Sequence, residues 1–123
     1  MIELNPLVSI SKEVRAWFET NKNVENQKKN EMKLAVKVLS KAILETKSYV
    51  RNGFENRIPE RENELRELWN NAHIELRQID AELAMRCFAK AEYWIEPENW
   101  SGEKVEKYNI KLDSMSESLK TLE

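Results

Sequence analysis

Leu65, Trp69, Ala72, Leu76, Ile79 and Leu83 recur at steps of four, three, four, three and four, with charged residues between them. That spacing draws one apolar stripe along a helix and leaves the other sides to water. A stripe this long has to be covered, and the rest of the chain reads as the cover. Past Asp80 the apolar set becomes Leu83, Ala84, Cys87, Phe88, Ala91 and Trp94. At about 100° per residue this second face is rotated from the first by several tens of degrees. Asp80 is a good N-cap, so the pattern predicts helices over about 60–79 and 81–95, with a break near 79–81.

Upstream, Leu7, Ile10, Val14, Trp17 and Phe18 share a face behind Asn5-Pro6, a cap followed by a proline suited to the first helical position. This predicts a helix over about 6–20. Thr20-Asn21-Lys22-Asn23 reads as a short polar connection. A second helix is expected over about 24–52, with Met32, Ala35, Val36, Leu39, Ala42, Ile43, Thr46 and Val50 inward. Gly53 is its natural stop, and Phe54–Pro59 a loop. Downstream, Pro97 ends the helix that contains Trp94, and Ser101 can cap a short helix over about 102–108. Asp113 or Ser114 can cap a last helix with Met115, Leu119 and Leu122.

These elements predict an all-α protein. The arrangement expected is an up-and-down helical bundle of three to four long helices with short terminal helices, in one domain over 1–123. Trp17, Trp69, Trp94 and Trp100 are expected as core or lid anchors.

Composition narrows the class. Of 123 residues, 41% are hydrophobic, which is too many for a disordered chain; two Gly and three Pro are too few for a turn-rich β fold. Cys87 is the only cysteine, so no internal disulfide is possible. No apolar run approaches the ~20 residues of a membrane helix. The start MIELNPLVSISKE lacks the basic head and apolar centre of a signal peptide. The reading is a cytoplasmic protein with no membrane association.

The net charge of −2 conceals an asymmetry. Residues 21–52 hold eight Lys/Arg against three Glu, whereas 60–95 hold five basic against eight acidic. Helices of opposite charge lying side by side is the plain expectation. The sharper one is a nucleic acid on the stripe of Lys29, Lys33, Lys37 and Lys41. That stripe carries no aromatic residues for stacking on single strands.

Candidate chemistry is sparse. A helical di-iron site needs Glu-x-x-His pairs, but His73 is the only histidine and Asn70 stands three residues before it. No metal or cofactor is expected, and no phosphate loop or nucleophile elbow is present. Cys87 sits among apolar neighbours as packing. Glu45, Thr46 and Tyr49 lie beside the inward stripe, and with Arg57 or Arg61 they suggest a polar network that fixes helix register. A small pocket between helices is the alternative there.

Arg66 and His73, an Arg followed by six residues and a His, resemble the metal-independent ribonuclease motif of the HEPN family of helical bundles. The resemblance implies that these two residues act on a scissile phosphate across a dimer. Glu67 follows the Arg here, where the family usually has Asn, Asp or His. More broadly, Glu45-Thr46, Tyr49, Glu64-Leu65, Leu68-Trp69, Ala72, Leu83-Ala84, Lys90, Tyr93-Trp94, Pro97 and Trp100 are together similar to small bacterial all-helical proteins of uncharacterised function. That resemblance implies a helical fold and no catalytic residue.

The leading expectation is a non-enzymatic protein that binds a protein partner, itself first of all, as a homodimer. Tyr93, Trp94 and Trp100 concentrate aromatic surface around a proline turn and are the candidate interface.

Overall fold

The computed structural model describes residues 12–51 and 56–123, with side chains from residue 23 onward. Five α-helices follow one another: α1 Lys12–Val50, α2 Pro59–Leu76, α3 Ala81–Tyr93, α4 Gly102–Tyr108 and α5 Leu112–Leu122. A single 3₁₀ turn at Pro97–Asn99 lies between α3 and α4. No strand occurs among the described residues, so the all-α reading stands. No described helix is long and apolar enough to cross a membrane.

The break expected at 20–23 is absent: α1 runs through it without interruption. Thr20, Asn21 and Asn23 are good caps, but each costs only about 0.5 kcal/mol inside a helix relative to Ala. Neither Gly nor Pro occurs anywhere in α1 to force a break. The expected Asn5-Pro6 start and the Gly53 stop lie outside the described residues. The chain divides into two units at Glu31–Met32. In the first, Asn23–Glu31 are exposed, and Gln27 donates to Glu31 Oε1 one turn on at 3.3 Å.

In the second unit the core is built as the stripes dictate. Ala35, Leu39, Ala42 and Ile43 come from α1, and Leu65, Trp69, Ala72 and Leu76 from α2. Leu83, Ala84, Cys87 and Ala91 come from α3, and Met115 from α5. Pro59 is the first residue of α2, where its missing N–H removes no bond. The predicted break is present. Ile79 and Asp80 N–H both fold back to Leu76 O at 3.0 and 2.9 Å, and Asp80 Oδ1 then accepts from Leu83 N–H at 3.0 Å.

Ser101 caps α4, accepting from Lys104 N–H at 3.1 Å. Asn109 ends that helix at φ 55, a left-handed position that Asn tolerates better than most residues. Ile110 N–H then reaches back to Val105 O at 3.3 Å, and Asn109 N–H to Glu106 O at 3.1 Å, closing a Schellman end. This seats Ile110 in the interior. α5 corrects an expectation: its N-cap position is Lys111, not Asp113 or Ser114, and no side chain caps it.

Candidate functional site

The best-made polar cluster surrounds Glu62. This residue is only 6% exposed, although it lies in the first turns of α2. Arg57 grips it with both arms: Nη2 donates to Oε1 at 2.7 Å and Nε to Oε2 at 2.9 Å. Tyr49 O–H, from the last turn of α1, donates to Oε2 at 2.5 Å. The phenol oxygen in turn accepts Ile58 N–H at 2.9 Å. The third Arg57 nitrogen, Nη1, reaches Glu98 Oε2 at 2.9 Å. The two arginine bonds hold the Glu62 carboxyl below the usual carboxylate range, against the opposing effect of burial. Burial first, then the Glu62 hydrogen bond, pushes the Tyr49 phenol above its ordinary value.

Glu45 takes a separate partner, with Arg61 Nη2 donating to Glu45 Oε2 at 2.5 Å. Glu45 and Tyr49 therefore stand in two adjacent clusters, one on Arg61 and one on Arg57 and Glu62. The charge sense is the reverse of the one expected from the helix totals. Here the basic helix α1 supplies the carboxylate and the acidic helix α2 the guanidinium. Lys33, Lys37 and Lys41 all face water, as does Lys29 in the first unit.

Arg66 and His73 are held by different neighbours. Arg66 Nε and Nη2 both donate to Asn63 Oδ1, at 3.1 and 2.7 Å. Arg66 lines a shallow cleft with Arg57, Asn63 and Ile95. His73 Nδ1 lies 2.9 Å from Ala84 O, so that nitrogen carries the proton and donates, and the ring tilts against Phe88 at 5.0 Å. The hydrogen bond ties α2 to α3 just beyond the break.

The proposed aromatic interface is mostly turned inward. Trp94 is 3% exposed and belongs to the core, in keeping with its expected role as a core or lid anchor. Tyr93 and Trp100 are half-buried. Tyr49, Trp94, Tyr93, Trp100 and Tyr108 form an unbroken edge-to-face chain with centroids 4.9–5.9 Å apart. Lys104 Nζ sits 4.3 Å above the Trp100 ring.

Three features lay outside the sequence expectation. Arg86 of α3 is the strut of α5, donating to Asn109 O at 2.9 Å, Ser118 Oγ at 2.7 Å and Ser114 Oγ at 2.9 Å. Lys90 is buried. Met85 and Phe88 point outward from α3 and, with Ala89, Tyr108, Glu82 and Glu92, line an apolar groove. Among the described residues no group of His, Cys, Asp and Glu is arranged to hold a metal. The chain matches no protein-family model, no curated protein and no solved structure.

Proposed function

We propose that the protein is a non-enzymatic helical module that acts by binding protein, with a second copy of itself as the partner. The observation that carries this reading is the outward face of α3. Met85 is 60% exposed and Phe88 39%, and they share a groove with Tyr108 of α4. Large apolar residues gathered on one face differ from singly scattered ones, because gathered they form a patch that water wets poorly. Glu82, Arg86 and Glu92 of α3 with Lys107 of α4 give the rim both signs of charge. A two-fold contact can lay Glu82 and Glu92 of each copy against the other copy's Lys107 and bury the apolar floor between them.

The scaffold proposed for this face is an up-and-down bundle of α2, α3 and the part of α1 from Met32 onward, with α4 and α5 against one end. The lone buried thiol of Cys87 suits a reducing, cytoplasmic setting. The test is the solution mass by light scattering. A dimer is expected, with the double variant Met85→Glu, Phe88→Glu monomeric and equally helical by circular dichroism. A strict monomer at the highest soluble concentration removes the self-association reading.

A further inference from the structure

α5 starts without a cap. Lys111 at the N-cap position carries no acceptor atom, so the amides of Leu112, Asp113 and Ser114 have no partner within the helix or from a cap. They form the positive end of an 11-residue helix. A cavity of about 370 Å³ opens at this point, within the size range of small-molecule sites. Val50, Tyr93, Trp94, Val105 and Leu112 make its apolar walls.

Four polar residues also line it, and three are committed elsewhere or face water. Thr46 O–H donates to Ala42 O at 2.7 Å and its oxygen accepts from Trp69 Nε1 at 2.8 Å. Lys111 pairs with Glu106, and Asp113 lies on the exposed rim. The fourth is Lys90, only 7% exposed. Its ammonium lies 4.8 Å from the centre of the Tyr93 ring and makes no hydrogen bond or ion pair with any described residue, Asp113 included. A lysine side chain this deeply enclosed, with no counter-charge at ion-pair distance, is unfavourable, and a methionine of similar length would fill the same space without that penalty. Desolvation lowers the Lys90 pKa to about 8, in keeping with this isolation. A cation and an uncapped helix N-terminus thus meet in one cavity, whose one carboxylate, Asp113, forms no ion pair with Lys90.

We propose that this cavity is a binding site for a small organic monocarboxylate with an apolar body. The carboxylate sits between Lys90 Nζ and the amides of 112–114, and the apolar body lies among Val50, Val105 and Leu112. The ammonium supplies charge and the amides supply direction, the pairing that makes helix N-termini anion sites. The walls select against a bare inorganic anion, which would leave them facing water.

The test is titration of the full chain with benzoate, benzyl alcohol and inorganic phosphate, followed by calorimetry and by the backbone amide resonances of 112–114. Saturable benzoate binding that moves those resonances is expected, with benzyl alcohol and phosphate both weaker. Lys90→Met should weaken benzoate about tenfold or more, the loss of one charged hydrogen bond. Val105→Trp fills the cavity with Lys90 intact and should abolish binding, which keeps the test valid should Lys90→Met misfold. Absence of saturable benzoate binding overturns the proposal. So does benzoate affinity that survives both variants, or that benzyl alcohol or phosphate equals.

Discussion

Trp69 Nε1 donates to Thr46 Oγ1 across 2.8 Å with both side chains fully enclosed. The hydroxyl that accepts this bond spends its own proton on Ala42 O. The indole N–H thus has one partner, and that partner is positioned by its own helix. Thr46→Val keeps the shape and strands the indole N–H, which should cost roughly 1–3 kcal/mol in urea unfolding. Trp69→Phe in the Thr46→Val background should cost less than the sum of the two single changes, because the stranded donor is gone. Strict additivity in the double-mutant cycle would show that the two residues do not interact.

The same pair shows what the sequence reveals and where it misleads. Trp69 and Leu65 stand out because apolar residues at helical spacing have one economical explanation. Glu62 shares their phase, three and seven residues earlier, yet Glu60, Glu62 and Glu64 together read as carboxylates at a helix start. Only the phase separates Glu62 from its two neighbours, and the chemistry of the residue argues the other way. Lys90 is the same case on α3: Leu83, Cys87, Lys90 and Trp94 keep the step of four, three and four. A charged residue in phase with an apolar stripe was the available signal for both. The continuity of α1 through 20–23 was hidden for the opposite reason. Cap-forming residues mark where a helix can start, but they do not oblige one to stop.

Arg57 and Glu62 make the stability depend on acid. The Glu62 pKa is lowered in the folded chain, chiefly by its Arg57 hydrogen bonds, so its contribution is present above the ordinary carboxylate range. It is lost as pH falls through the folded value. Glu62→Gln should therefore destabilise the protein at pH 7 and flatten the decline in stability below about pH 4, near the unfolded value for Glu. Arg57→Ala leaves a buried carboxylate unpaired. With the Arg57 side chain 37% exposed, the loss should be smaller than for a fully buried pair and should show as a lower urea midpoint. Urea midpoints measured at several pH values test both; parallel curves for parent and Glu62→Gln would show that the pair carries no acid dependence.

Asp80 holds the corner between α2 and α3. Its carboxylate accepts Leu83 N–H, and its own N–H closes the last turn of α2. Asp80→Ala should cost about 1 kcal/mol, the usual worth of an N-cap. Asp80→Asn should recover most of it, since the amide oxygen accepts equally well. Amide exchange is the sharper measurement: Leu83 N–H should lose protection in the Ala variant and keep it in the Asn variant. Protection unchanged in both would show that Asp80 does not cap α3.

Lys90 makes an alkaline prediction of the opposite sense. Its folded pKa of about 8 lies below the ordinary lysine value, so the unfolded chain holds the proton more tightly. The penalty for burying the charge is fully present below pH 8 and fades as pH rises toward about 10.4, the unfolded lysine value. Lys90→Met lacks that penalty and should be more stable than the parent at pH 7, on the order of a few kcal/mol. The advantage should shrink toward zero by about pH 10, because the parent then folds with a neutral amine. Cys87 does not interfere, since burial pushes its thiol up to about 12. Lys111 and Asp113 on the cavity rim are common to both chains, so they cancel in the comparison. A Lys90→Met variant less stable than the parent at pH 7 would mean that the ammonium reaches water or a counter-charge, and with it would go the picture of an isolated cation in that cavity.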